Sequence, residues 1–147
     1  YTFPAPGKIN DYKKVLNAKT GFRAKYIFEA NNSLNIKNLN SLRTQSYNNA
    51  KNELKKINGV GDKVADCVLL FSLGFYQAIP VDTWIKKTMQ LLYFDNATIS
   101  NEKIREFGLD YFGTYAGYAQ QYLFMLSRND MGTTSRLQLW KNGMLEE

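Results

Sequence analysis

Apolar residues recur three or four positions apart along most of the chain, which is the spacing of one face of an α-helix. No stretch shows the sustained apolar and polar alternation of a half-buried strand. The predicted helices are 8–17, 20–31, 46–56, 61–73, 82–93, 100–111 and 115–128. Residues 34–45 are polar and broken, and the chain from Met131 onward is predicted to be a frayed tail. The sequence therefore predicts an all-α fold, in a single helical domain over residues 1–147.

Side chains typical of helix termini mark several of these boundaries. The predicted N-caps are Thr20, Ser46, Asp82 and Ser100. Gly74 is predicted to end the helix 61–73, and residues 75–80 form an extended connector because a residue before proline avoids the helical region. The predicted buried faces are Phe22, Tyr26, Ile27 and Ala30 in the second helix, Val64, Cys67, Val68 and Phe71 in the fourth, and Ile85, Met89 and Leu92 in the fifth.

Composition excludes several kinds of site. The chain has no histidine, so a histidine-based triad or a histidine-ligated metal site cannot form within it. Its single cysteine, Cys67, cannot form an internal disulfide and offers no metal-ligand spacing. No signal peptide and no membrane-length apolar stretch are present, so we expect no membrane partner and a reducing cytosol as the default compartment.

The chain is basic, with a net charge of +6 from 19 Lys and Arg against 13 Asp and Glu. Such an excess is equally consistent with an ordinary solvated surface and with an anionic partner. Nucleic acid becomes the favoured partner only because a local motif indicates the same thing.

That motif lies within residues 54–74, where LKKINGVGDKVAD begins at Leu54. Gly59-Val60-Gly61 separates two helical stretches and predicts a tight hairpin, since glycine suits a left-handed turn or a close approach. The first N–H groups of the second helix would then point outward and attract an anion. Lys63 follows just inside that helix, and Asp82 follows nineteen positions later, after Pro80 and Val81. A phosphate diester suits such a site in a basic chain.

The segment LKKINGVGDKVADCVLLFSLGFYQAIPVD resembles the helix-hairpin-helix and Gly/Pro-Asp signature of a superfamily of DNA base-excision glycosylases. Within that superfamily the chain is most similar to the bifunctional 8-oxoguanine DNA glycosylase/AP lyases. The segments YTFP at Tyr1, GFRAKY at Gly21 and YAGYAQQYLF at Tyr115 support the resemblance in the family's order. The likeness covers the carboxy-terminal helical portion of such proteins, and nothing here matches their amino-terminal β-rich domain.

The resemblance implies base-excision repair, in which Lys63 attacks C1′ of the damaged nucleotide, displaces the base and forms a Schiff base that undergoes β-elimination. Lys63 would lie in the first turn of a helix, near the positive end of the macrodipole. Asp82 would be the second catalytic residue, because an N-cap carboxylate is held by helix amides and can stabilise a sugar cation. By position alone, Lys63 is more often a surface lysine and Asp82 more often a plain cap, and the family resemblance is what favours the catalytic roles.

The family pattern also assigns contacts to DNA and to the base. Gly59, Val60 and Gly61 would donate backbone N–H groups to a phosphate, where the family also permits a bridging monovalent cation; no other cofactor is expected. The predicted base pocket is Cys67, Gln120 and Phe124.

Trp84 departs from the family, because many relatives have a histidine there, and it would stack on DNA or donate one hydrogen bond. Tyr1 matches a residue that wedges at the opposite base.

The implied protein is a monomer that acts on double-stranded DNA containing a damaged purine, in the nucleus of a eukaryote or the nucleoid-bearing cytoplasm of a bacterium. Two alternatives remain: a monofunctional glycosylase that uses Asp82 to activate water, and a non-catalytic helix-hairpin-helix module that binds DNA backbone. An iron-sulfur relative is disfavoured because such a cluster needs four cysteines.

Overall fold

The computed structural model describes residues 4–129, in which the regular structure is helical and no strand occurs. The helices are α1 (Tyr12–Asn17), α2 (Ala24–Ser33), α3 (Ile36–Ser41), α4 (Tyr47–Lys55), α5 (Asp62–Val68), α6 (Thr83–Tyr93), α7 (Asn101–Phe112) and α8 (Ala116–Asn129). Short 3₁₀ turns cover Gly21–Arg23, Leu42–Thr44 and Gly113–Tyr115, and a π-helical turn covers Leu69–Leu73. The all-α prediction is confirmed.

The chain divides into two compact units between Ala65 and Asp66, so the boundary falls inside α5. In the first unit α1 packs on α2, and the buried apolar residues include Val15, Ala24, Leu42, Ala50 and Leu54. In the second unit α8 packs against α6 and α7. Its central cluster contains Ile79, Val81, Ile85, Met89, Leu92, Ile104, Ala116 and Leu123. The inward face predicted for α6 is therefore confirmed, because Ile85, Met89 and Leu92 are all buried.

Most of the predicted caps are present. The side chains of Ser46, Asp82 and Ser100 each accept a hydrogen bond from a backbone N–H in the first turn of the following helix. Gly74 ends the π-helical turn with φ 81°, in the left-handed region that glycine tolerates. These polar groups satisfy amides that would otherwise lack partners, which explains why the boundaries could be predicted.

The first two helices begin later than predicted. Asp11 caps α1, so that helix starts at Tyr12 and residues 8–10 are not helical. Thr20 is not a cap, because its hydroxyl donates to the carbonyl of Val15 at 2.7 Å and a 3₁₀ turn follows. That turn also makes the predicted inward position of Phe22 wrong, since its side chain is 77% exposed.

The buried face predicted for the helix after the hairpin is wrong at its first and last positions, whereas Cys67 and Val68 are half-buried. Val64 is 42% exposed and Phe71 is 62% exposed, whereas Asp66 is fully buried. Asp66 Oδ2 accepts a hydrogen bond from Arg105 Nε at 2.8 Å, so a charged partner on α7 permits the carboxylate to face inward. The π-helical turn that follows changes the angular register of the later positions. No helix in the described part of the chain is long and apolar enough to cross a bilayer.

Candidate active site

The predicted hairpin connects α4 to α5 through residues 56–61. Its turn is closed by Val60 N donating to Ile57 O at 3.0 Å, and Ala65 N bonds to Gly61 O at 2.9 Å. Gly59 has φ 84°, and a β-carbon there would lie 2.7 Å from Tyr26 Cβ, so both backbone and packing require glycine. Gly61 differs, because its φ is not positive and an added β-carbon would meet nothing within 4 Å. The fold therefore does not explain the second glycine.

The hairpin turn is supported by α2, which belongs to the same unit. Tyr26 packs directly against Gly59. Glu29 Oε2 accepts a hydrogen bond from Asn58 Nδ2 at 2.7 Å, and Lys25 Nζ lies 3.8 Å from Glu29 Oε1. Contacts with α2 therefore fix Asn58 and Gly59, the two residues before Val60.

Lys63 is the second residue of α5, and its side chain is exposed. Its ammonium forms no hydrogen bond or ion pair with any of the residues that the structure describes. The preceding residue, Asp62, is instead paired with α4: its Oδ1 lies 2.8 Å from Lys55 Nζ and 3.8 Å from Lys51 Nζ. The amine of Lys63 is thus accessible while the neighbouring carboxylate is engaged elsewhere.

Asp82 caps α6, with its Oδ1 accepting a hydrogen bond from Ile85 N at 2.8 Å. Its side chain is half-buried, and the three residues before it, Ile79 to Val81, are buried. The backbone bond and the buried approach fix the carboxylate in one orientation. A fixed anion with one face open to solvent is the arrangement that electrostatic stabilisation of a cation requires.

The predicted pocket residues lie on α5 and α8. Gln120 is only 4% exposed, and its Oε1 accepts a hydrogen bond from Gln121 Nε2 at 2.5 Å. Phe124, one turn later, is half-buried against the core, with the guanidinium of Arg128 5.8 Å from its ring centre. Cys67 is half-buried on α5, four positions after Lys63.

Gly117 fixes the start of α8 against the connector that leads to Asp82. Its N–H donates to Tyr76 O at 2.8 Å. A β-carbon at Gly117 would lie 2.6 Å from Ala78 O and 2.7 Å from Tyr76 O. Leu70 Cδ1 would also lie at 2.5 Å, and because the other two obstacles are backbone atoms, only glycine permits this approach. The glycine of the YAGYAQ segment therefore serves packing within the second unit.

Trp84 lies two residues into α6 from the cap and is 37% exposed, with Lys87 Nζ 5.8 Å from the ring centre. Its ring is therefore accessible to a partner.

Tyr1 lies outside the described residues. Lys63 belongs to the unit that ends at Ala65 and Asp82 to the other, so the approach of the two catalytic groups stays a prediction.

Two features were missed by sequence reasoning. Phe22 is highly exposed beside Gly21, which has φ 57°, and the guanidinium of Arg23 lies 4.7 Å from the Phe22 ring centre. The combination of glycine, aromatic and arginine at the start of a helix was the available signal. The pairing of Lys51 and Lys55 with Asp62 had only the i, i+4 spacing of the lysines as a signal.

Within residues 4–129, no group of three or more acidic or cysteine side chains is placed to hold a metal ion. The first unit offers an exposed amine directly after a hairpin with free backbone amides, and the second unit offers a fixed carboxylate. An exposed amine beside such a hairpin is suited to nucleophilic chemistry on a phosphate-bearing substrate.

In sequence, the chain is 32% identical over 138 residues to a probable N-glycosylase/DNA lyase of Methanothermobacter thermautotrophicus, a match covering 91% of this chain and 42% of that protein. It is 36% identical over 139 residues to the N-glycosylase/DNA lyase OGG1 of Arabidopsis thaliana, covering 85% of this chain and 38% of that protein. No protein-family model matches the chain. The chain thus spans less than half the length of these relatives.

The chain is also similar in fold to solved structures of proteins bound to DNA. The 8-oxoguanine glycosylase/lyase of Clostridium acetobutylicum, bound to double-stranded DNA with cytosine opposite 8-oxoguanine, superposes with a TM-score of 0.79 and 41% identity, covering 88% of this chain and 46% of that one. MBOgg1 bound to a low-affinity DNA ligand gives a TM-score of 0.80 and 40% identity, covering 90% of this chain and 47% of that one. Over most of its length the chain is therefore similar in sequence and fold to part of the N-glycosylase/DNA lyases, among them 8-oxoguanine glycosylases.

Proposed function

We propose that this chain carries the catalytic helical part of a bifunctional DNA glycosylase/AP lyase that removes 8-oxoguanine from duplex DNA. The observation that carries the proposal is the exposed amine of Lys63, placed two residues after a hairpin whose second glycine the fold does not require. The names of the relatives and structural neighbours support the same activity. The protein would act on DNA as a monomer.

The reaction would proceed through a covalent intermediate on Lys63. The neutral amine attacks C1′, the N-glycosidic bond breaks, and its electron pair leaves with the base, which takes up a proton. The amine and C1′ then form a protonated imine with the sugar ring open. Loss of a proton from C2′ sends electrons toward C3′, and the C3′–O bond breaks with departure of the 3′ phosphate. The imine serves as the electron sink that makes this elimination possible.

Asp82 would stabilise the positive charge that develops on the sugar as the base departs. Its carboxylate is held by the Ile85 amide, so it needs no reorganisation during the reaction. The same anion could also receive or orient a proton of the attacking amine. Both roles depend on charge, whereas the capping role does not.

We expect Asp82→Asn to retain the fold and lose most of the excision rate. Asparagine caps helices about as well as aspartate, so thermal unfolding should change little. Removal of one preorganised group that stabilises transition-state charge typically costs about 100- to 1,000-fold in rate, and we expect a loss of that order here. The measurement is single-turnover excision of 8-oxoguanine, with Ser100→Asn, a matched cap of α7, as the control. Excision at the wild-type rate by Asp82→Asn would show that this carboxylate is only a cap.

The hairpin would bind a DNA phosphate through its backbone. Gly61 leaves open space where a side chain would stand, so a phosphate oxygen can approach the amides of Gly59 and Gly61 closely. The predicted donor role of Val60 is not supported, because its N–H already donates to Ile57 O within the turn. We also propose that a monovalent cation can bridge hairpin carbonyls to that phosphate. These contacts position the duplex without reading its sequence.

The flipped base would be held by Cys67 and Phe124 on its faces, with Gln120 bonding its edge. The buried amide of Gln120 suits this role because a side chain with two donors and one oxygen can match a purine edge. Trp84 would stack on a nucleotide beside the lesion. Tyr1 remains a predicted contact to the opposite base.

Phe22 and Arg23 would support the extruded state of the duplex. An exposed aromatic ring can insert into the space that a flipped nucleotide leaves, and a cationic neighbour can contact the adjacent bases or phosphate. The 77% exposure of Phe22 and the stacked guanidinium are the observations behind this assignment.

The decisive experiment is incision of an oligonucleotide that carries 8-oxoguanine opposite each normal base, with and without borohydride. We expect nicking at the lesion and a covalent protein–DNA adduct under reduction. Base release without an adduct would identify a monofunctional glycosylase. Binding without base release or nicking would identify a non-catalytic DNA-binding module and overturn the proposal.

A further inference from the structure

An acidic residue stands at the point of the hairpin where a phosphate would approach. Asp62 is the first residue of α5, directly between Gly61 and Lys63. A carboxylate in the first helical turn stabilises the helix through the macrodipole. The same charge, however, repels a DNA phosphate that approaches the neighbouring amides.

Two lysines of α4 converge on this carboxylate. Lys55 Nζ lies 2.8 Å from Asp62 Oδ1, and Lys51 Nζ lies 3.8 Å from the same oxygen. Lys51 is well enclosed, with 12% of its side chain exposed, and its ammonium contacts the Tyr47 hydroxyl at 3.1 Å. The three charged groups sum to one positive charge beside the hairpin.

We propose that Lys51 and Lys55 are positioning residues that neutralise Asp62, so that the DNA backbone can approach the hairpin. This inference rests on the proposed function, because it assumes that DNA binds at Gly59 to Gly61. In this arrangement Asp62 keeps its stabilising place at the start of α5 while the lysines cancel its repulsion of phosphate. The lysines act through Asp62, and their effect on DNA disappears when the carboxylate is removed.

A direct phosphate contact by Lys55 is the competing explanation, and the two differ in a double-mutant cycle. If Lys55 acts through Asp62, then Lys55→Met weakens DNA binding and adding Asp62→Asn restores it. If Lys55 contacts phosphate directly, the double variant stays as weak as the single one. The dependence of affinity on salt would then also fall by about one phosphate contact in both variants.

The experiment measures the dissociation constant of the full chain for a duplex containing a reduced abasic analogue, at several salt concentrations. We expect Lys55→Met to bind about three- to tenfold more weakly, Asp62→Asn to bind at least as tightly as wild type, and the double variant to match Asp62→Asn. The matched control is Lys56→Met with Glu53→Gln. Glu53 lies on α4 and its Oε1 is 2.5 Å from the ammonium of Lys56, the residue that follows α4, and removal of Glu53 should give no comparable rescue.

Thermal unfolding of every variant separates a folding defect from a binding defect. A Lys55→Met protein with wild-type affinity, a double variant as weak as Lys55→Met, or an Asp62→Asn protein that binds more weakly than wild type would each overturn the inference. If the wild-type chain itself has no affinity for the duplex, the proposed function fails instead. The two failures are therefore distinguishable.

Discussion

Lys63→Gln is expected to eliminate both the covalent adduct under borohydride and the strand nick at 8-oxoguanine. Glutamine has nearly the length of lysine but no nucleophilic amine, so no imine can form. Loss of a nucleophile typically lowers the rate by about a millionfold, which leaves no detectable product. Affinity for the duplex should remain near that of wild type, because hairpin amides and the remaining cations still contact the backbone.

The control for this variant is Lys13→Gln, since Lys13 is also the second residue of a short helix and is also exposed. Trapping and nicking should be unchanged in Lys13→Gln. Gel electrophoresis of the reduced reaction shows both results directly, as a shifted protein band and as a shortened DNA strand. A Lys63→Gln protein that still forms the adduct would assign the nucleophile to another amine.

The sequence was sufficient to predict the features that depend on local chemistry. Ser46, Asp82 and Ser100 cap helices because a short polar side chain reaches the amides of its own first turn. Gly59 makes the hairpin because its φ is positive. Each of these interactions joins groups only a few positions apart in the chain, so the local sequence shows both partners.

Features that depend on distant partners could not be predicted in the same way. Asp66 looks like an outward residue of α5 until Arg105 is found beside it, thirty-nine positions away. Phe22 fits an apolar helical face until a 3₁₀ turn rotates it into solvent. The candidate site also combines both kinds of feature. Its residues could be predicted from the family pattern, whereas the ion pair between Asp62 and Lys55 of α4 is visible only in the three-dimensional structure.

The two glycines at the site should respond to alanine in opposite ways. Gly117→Ala places a β-carbon 2.6 Å from Ala78 O and 2.7 Å from Tyr76 O, and neither backbone oxygen can move without shifting the connector to Asp82. Overpacking of this kind costs about 1–3 kcal/mol or more, and rigid obstacles place this variant at the upper end. We expect a large fall in the urea midpoint, together with loss of excision because α8 and the connector separate.

Gly61→Ala is the matched comparison, since its added β-carbon meets nothing within 4 Å and its φ is not positive. Its urea midpoint should stay close to wild type, while its affinity for the duplex falls because the methyl group occupies the space for the phosphate. The pair thus separates a glycine required by packing from one required by an external ligand. Full DNA affinity in Gly61→Ala, or a wild-type urea midpoint in Gly117→Ala, would contradict this assignment of roles.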